Sequence, residues 1–339
     1  MLGSSIRTLG LFGLVGVVHL VGWGLFALYA PRYQEIAGLG ALAYGLGLRH
    51  AFDADHISAI DDTTRFLLQK GQPPAAVGFF FSLGHSTIVL LMTVTLVFAT
   101  RTVRTAMPHL HIYGNIIGSS ISGAFLWLIG ILNLVVLLDI LRMWRQVRSS
   151  CNYPDERLNE LLAQRGLARR LLGGRLQNLV NHSWQMYPVG MLFGLGFDTA
   201  SEIALLGLAA GAAARAVPSP AIVSLALLFA AGMSLMDTAD GVFMVRAYTW
   251  ALSKPLRRIY YNIATTGLSV MIALLIGSME LIQVLGPALN LRGPVIEMIS
   301  AVDFERLGYI IVGLFVVGWL GSVALWKFRK LDEQSESAL

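Results

Sequence analysis

The chain has 339 residues, 55% of them hydrophobic and only 13% charged, with a net charge of +5 and a mean hydropathy of +0.66. A charged fraction near half the ~25% of an ordinary soluble domain excludes a conventional water-soluble core and points to a bilayer. The single cysteine, Cys151, excludes an internal disulfide and any metal site built from several thiolates.

Runs of about 20 apolar residues cross a bilayer core. Such runs predict eight spans, at 8–30, 37–60, 75–99, 114–140, 186–212, 219–245, 261–285 and 307–327. The expected fold class is an all-α polytopic membrane protein. Residues 1–140 would form a first transmembrane half with spans one to four. Residues 141–185 would form a polar, Arg-rich cytoplasmic loop, and 186–339 a second half with spans five to eight and a short tail. The first run is long enough to span and no small-residue cleavage site follows it, so no cleavable signal peptide is expected.

With both termini inside, 18 Lys and Arg fall on inner segments, among them Arg65 and Lys70, and 6 on outer ones. Lys and Arg concentrate on cytoplasmic loops, so this orientation in the cytoplasmic membrane is the expected one. The positive net charge then reflects basic loops beside anionic lipid, and no nucleic-acid partner is implied. The chain holds no G-x-x-x-x-G-K-[ST] stretch, so no ATP-binding site is expected.

Span one carries His19, read as structural. Span two carries "RHAFDADHI", Arg49 to Ile57, with His50, Asp53, Asp55 and His56. Span three carries "FSLGHS", Phe81 to Ser86, with His85. His109 and His111 follow in the outer loop, read as solvated. Span five carries "LFGLGFDTASEIALL" with Asp198 and Glu202, and span six carries "FAAGMS", Phe229 to Ser234, followed by Asp237 and Asp240. A charge at the bilayer centre costs about 2.5–3.5 kcal/mol on insertion scales. Such a set persists only if its members face one another, water or a bound cation.

The stretches also suggest a repeat. Spans two and five each place acids after Gly-Leu-Gly, and "FSLGHS" pairs with "FAAGMS". Gly47 to Gly84 is 37 residues and Gly196 to Gly232 is 36. Spans two and five are three crossings apart and run in opposite directions. The expectation is an inverted repeat of spans two and three against five and six, with a site near the midplane.

On a regular helix His50, Asp53 and His56 share an arc of about 120°, and Asp55 faces the other way. A helix broken at the motif would let all four meet, and the sequence leaves both arrangements open. Met233, Asp237 and Asp240 step by four and three and form one face, as do Asp198 and Glu202. Mixed imidazole and carboxylate without thiolate suits a divalent first-row transition metal. The candidate metal ligands are His50, Asp53, Asp55, His56 and His85. Asp198, Glu202, Asp237 and Asp240 are candidates for direct contact, for capping a broken helix, for fixing a histidine tautomer, or for relaying protons. Met233 is read as packing, and Arg49 as neutralising nearby acids or reaching the interface.

At these residues the chain resembles the nickel/cobalt transporter (NiCoT) family. "RHAFDADHI" fits the family's H-x4-D-H signature, and "FSLGHSTIV", "LGFDTASEIALL" and "GMSLMDTADG" are similar to its other signature stretches, in the same order. Ser201 stands where the family pattern has Thr. The resemblance implies uptake of Ni2+ or Co2+ across the cytoplasmic membrane, and the expected function is a permease that works by alternating access, with no catalytic residue and no cofactor beyond the transported ion. Two other classes compete. An ion-coupled transporter of another divalent metal or a small solute would use midplane acids, but the histidine cluster argues against an organic solute. An intramembrane metalloenzyme of the desaturase type needs more histidines than the 7 present, and no HExxH stretch occurs.

Overall fold

The computed structural model describes residues 2–98, 119–135, 180–195, 200–215, 217–251, 255–304 and 306–314, with a few single positions between 116 and 145 and at 317. Among these, all regular structure is helical. The chain forms α1 (Leu2–Tyr29), α2 (Leu39–His50), α3 (Ala54–Gln69), α4 (Val77–Phe98) and α5 (Ser119–Val135). Then come α6 (Met186–Phe193), α7 (Ala200–Ala214), α8 (Ser219–Ala251), α9 (Pro255–Ala288) and α10 (Pro294–Ser300), with a helical stretch at 306–314. Four helices have segments long and apolar enough to cross a membrane: Thr8–Tyr29, Val77–Val97, Ser219–Tyr248 and Thr266–Pro287. Most of the loop at 141–185 and the ends of spans four and eight lie outside the described residues.

The second span is two helices. α2 stops at His50, and Asp53 starts α3 in extended geometry (φ −64°, ψ 143°) with Oδ1 accepting from the Ala54 amide at 2.8 Å. Asp is a favoured N-cap because its carboxylate satisfies amides that have no intrahelical partner. The backbone of 306–314 lies against this break, with Gly308 packed on the Phe52 carbonyl. In the expected fifth span α6 ends at Phe193 and α7 begins at Ala200, with residues 196–199 outside the described residues.

α3 continues to Gln69, where Gly71 at φ 72° turns the chain out of the helix. This corrects one sequence expectation. Arg65 was assigned to an inner loop, yet it lies inside α3 and is 2% exposed. The helix keeps it because neighbouring helices supply hydroxyls and a tyrosine ring for its guanidinium.

α8 is the central element. Its Leu227 backbone meets Gly22 of α1 at 3.3 Å from an ideal Cβ position. It crosses α2 where a Cβ on Gly47 would strike the Phe229 carbonyl and one on Gly232 would lie 2.5 Å from the Tyr44 oxygen and 2.9 Å from the Leu48 nitrogen. α4 crosses α6 in the same manner. A Cβ on Gly84 would strike the Tyr187 carbonyl, and one on Gly190 the Phe81 carbonyl, 3.1 Å from the His85 nitrogen. Glycine at such crossings lets backbones approach within van der Waals contact where lipid supplies no hydrophobic drive.

Two apolar clusters flank the middle. One joins residues of α3, α4, α5, α6 and α9, including Ile60, Phe81, Leu126 and Ile276. The other joins α1, α2, α4, α7 and α8, including Phe26, Val89, Leu205 and Phe229. Leu9, Leu20 and Leu28 of α1 point outward, 67–76% exposed. A row of this kind on a long apolar helix is the surface expected against lipid tails.

Candidate metal centre

Between the two clusters, three histidines from three helices converge. His50 ends α2, His56 lies in the first turn of α3, and His85 sits beside the Gly84 crossing on α4. A continuous helix would set His50 and His56 about 120° apart. The break at residues 51–53 brings their ring centroids to 4.6 Å, and each lies 4.8 Å from the His85 ring. One ligand nitrogen from each lies within 4.8 Å of the others, and all three residues are 1–2% exposed.

Carboxylates close the group on two sides. His85 Nε2 lies 2.7 Å from Glu202 Oε1 and 3.1 Å from His50 Nε2. His50 Nε2 stands 4.0 Å from the same glutamate oxygen. Two nitrogens bound cis to one metal at about 2.1 Å stand about 3 Å apart, so His50 and His85 already hold a coordinating separation. On the other side, His56 Nδ1 lies 3.5 Å from Asp237 Oδ2. Neither ring nitrogen of His56 and neither carboxylate oxygen of Asp237 makes a hydrogen bond among the described residues. Leaving a buried polar atom unpaired costs about 1–3 kcal/mol. A divalent cation among these donors removes that cost for several atoms at once.

Apolar walls finish the site. The Phe81 ring packs 4.8 Å from His56, and the Phe229 ring 5.4 Å from His50, centroid to centroid, and both phenylalanines are fully buried. Excluding water lowers the local dielectric and strengthens the attraction between cation and carboxylate. Neither wall was singled out from the sequence, although both quoted stretches, "FSLGHS" and "FAAGMS", begin with phenylalanine.

The remaining expected residues fall at different places. Asp53 is buried beside the centre as the cap of α3. Asp55 is tied at the start of α3: its Oδ1 accepts from the His56 amide at 2.7 Å and its Oδ2 from Ser122 Oγ at 3.4 Å. Asp240 lines a separate cavity of about 280 Å³, with Ile57, Phe243 and Met244. Met233 is fully buried in the second apolar cluster. Arg49 is exposed next to buried His50. His19 bonds within the fold, at 2.9 Å to the Val15 carbonyl and 3.2 Å to the Tyr44 hydroxyl. Asp198, His109 and His111 lie outside the described residues.

Glu202→Gln keeps the shape and removes the charge. It is expected to weaken divalent-metal binding by about 10–100-fold, the usual effect of disturbing a metal ligand's partner. Calorimetric titration of purified protein measures this, and an unchanged affinity would take Glu202 out of the centre.

Comparison with known proteins places the chain in a group. A family model described as "NicO: High-affinity nickel-transport protein" matches residues 36–325. The "Nickel transporter NicT" of Mycobacterium tuberculosis is 48% identical over 335 residues, covering 96% of this chain and 90% of its own. The "Nickel transporter NixA" of Staphylococcus aureus is 46% identical over 321 residues, covering 95% and 94%. The "Cobalt transport protein NhlF" of Rhodococcus rhodochrous is 42% identical over 324 residues, covering 94% and 91%. No solved structure matches the chain.

Proposed function

The chain belongs to the NicO family of high-affinity nickel-transport proteins, and from that premise we propose that it imports Ni2+, Co2+ or both across the cytoplasmic membrane by alternating access. It is a multi-pass membrane permease and not an enzyme. The observation that carries the reading is the buried group of His50, His56 and His85 with Glu202 and Asp237 at its edges. The histidines bind the ion, the two carboxylates balance its charge, and Asp53 fixes the helix break that aims His50 and His56 at one point. Asp55 holds the start of α3 against α5, and Asp240 serves the path beyond the centre. Imidazole selects a transition metal over Mg2+ or Ca2+.

The proposed frame has eight spans, both termini inside, and two halves joined by the Arg-rich loop. The halves form an inverted repeat in a register that the glycine crossings support. Tyr44, Gly47 and Leu48 of α2 correspond to Tyr187, Gly190 and Met191 of α6. Phe81, Gly84 and His85 of α4 correspond to Phe229, Gly232 and Met233 of α8. This register pairs Gly47 with Gly190, six residues before the Gly196 that matching Gly-Leu-Gly selects. It aligns Asp55 with Asp198 without a gap. It also makes the two broken spans equivalent and the two aromatic walls symmetry mates. Discontinuous helices at a repeat interface are where secondary transporters place their ion sites.

No ATP is used by this chain in the proposal. An inside-negative potential supplies about 2.3 kcal/mol per charge per 100 mV, hence about 4.6 kcal/mol for a dication, or about three orders of magnitude in concentration. Cells expressing the chain are therefore expected to accumulate ⁶³Ni and ⁵⁷Co with mutual competition, and to stop when the potential is collapsed. Accumulation of neither ion would end the reading.

A further inference from the structure

Below the histidines, on the same helix, lies a second set of buried charged groups that ion binding does not use. Asp61, Asp62 and Arg65 of α3 are each 1–2% exposed. Ser269 Oγ of α9 donates to Asp61 Oδ2 at 2.5 Å and accepts from Arg65 Nε at 3.1 Å. Arg65 Nη1 donates to Thr266 Oγ1 at 3.1 Å. The guanidinium lies 4.0 Å over the Tyr248 ring of α8, and the Tyr248 hydroxyl donates to Asp61 Oδ1. Asp61, Tyr248, Arg65 and Ser269 thus close a ring across α3, α8 and α9. Beside it, Asn133 of α5 donates to Asp62 Oδ1 at 2.8 Å.

The position of the ring gives it a role. Asp61 and Arg65 lie about 7 and 13 Å beyond His56 along α3, and Tyr248 about 16 Å beyond Asp237 along α8, at 1.5 Å per residue. The ring therefore ties together the two helices that carry His56 and Asp237. It does so on the side where α3 ends in Lys70, the side that the Lys/Arg balance assigns to the cytoplasm. A buried ionic network is weak evidence for stability, because apolar residues of similar volume commonly do as well. Its distinguishing property is that its groups can exchange partners for water when the helices part, which an apolar seam cannot do cheaply.

We infer that this ring is the cytoplasmic gate of the ion path. Closed, it holds α3, α8 and α9 together beneath the buried histidines. Opened, it separates α3 from α8 and lets the divalent cation leave toward the cell interior. The inference rests on the transport reading above.

The test uses the full-length protein with Cys151→Ser, so that a single introduced thiol reports. Ile60 packs at the α3–α8 seam, its Cγ2 3.7 Å from the Cβ position of Gly241. Ile60→Cys in inverted vesicles, probed with a membrane-impermeant maleimide, reads opening of that seam. Tyr248→Phe removes one hydrogen bond and keeps the ring under the guanidinium. It is expected to speed labelling about five- to tenfold, the equilibrium weight of one hydrogen bond, to lower ⁶³Ni uptake by a similar factor, and to leave calorimetric Ni2+ affinity unchanged. Asp61→Asn is expected to do the same more strongly. Unchanged labelling in both variants overturns the gate, and so does loss of Ni2+ binding together with uptake, which would mark the ring as structural. Absence of uptake in the unsubstituted chain would instead overturn the transport reading.

Discussion

Replacing His56 with alanine is expected to abolish Ni2+ uptake and to lower Ni2+ affinity of the purified protein by at least about 100-fold, since disturbing even a ligand's supporting partner costs 10–100-fold. Among the described residues neither ring nitrogen of His56 makes a hydrogen bond, and its removal takes away the imidazole that stands 3.5 Å from Asp237 Oδ2. It also opens a hole against Phe81. Folding should survive, because no hydrogen bond is lost and an intramembrane polar group is removed. His85→Ala should lose uptake as fully, since His85 stands between His50 and Glu202. Met233→Leu, at the position matched to His85 in the proposed repeat, should keep most activity because volume and apolarity are preserved. Uptake within twofold of normal in folded His56→Ala protein would remove the three-histidine centre from the mechanism.

The reach of the sequence differs from one part of this site to another. His50, His56 and His85 stand out because they share two adjacent apolar runs with several acids, where a lone imidazole such as His19 reads as structural. Their meeting depends on the break at residues 51–53, which helical periodicity cannot reveal. A local signal did exist: Asp53 precedes a strong helical run and carries an N-cap side chain. The ring of Asp61, Arg65 and Tyr248 was hidden for a different reason. A short charged stretch at the end of an apolar run reads as a loop, and only partners more than 180 residues away in sequence, such as Tyr248 and Ser269, keep it helical and buried. Glu202 and Asp237 were legible as intramembrane acids, but their approach to the histidines was set by helix crossings. Those crossings in turn depend on glycines whose spacing competes with many other glycines in the chain.

The crossings carry the second large effect. Gly47→Leu, Gly84→Leu, Gly190→Leu and Gly232→Leu should each abolish uptake and reduce folded protein recovered in detergent. At each position even a Cβ meets the backbone of the partner helix, at 2.5 Å or closer to a carbonyl oxygen, and backbone cannot rotate aside as a side chain can. Overpacking commonly costs about 1–3 kcal/mol when side chains can yield, and a rigid contact sits at or above the top of that range against a total stability of about 5–15 kcal/mol. Alanine at the same four positions should be damaging but graded. Gly207 and Gly211 on α7 supply the control, since nothing lies within 4 Å of a Cβ at either. Alanine there should be tolerated and should stabilise the helix by about 0.5–1 kcal/mol. Thermal unfolding and ⁶³Ni uptake across the six alanine variants measure the contrast. The inverted repeat adds a further demand, because corresponding positions must fail alike. Gly47 should behave as Gly190 does, and Gly84 as Gly232 does. Two crossings that differ widely in tolerance would leave the three-histidine site standing but remove the symmetry, and with it the register that makes the two broken spans equivalent.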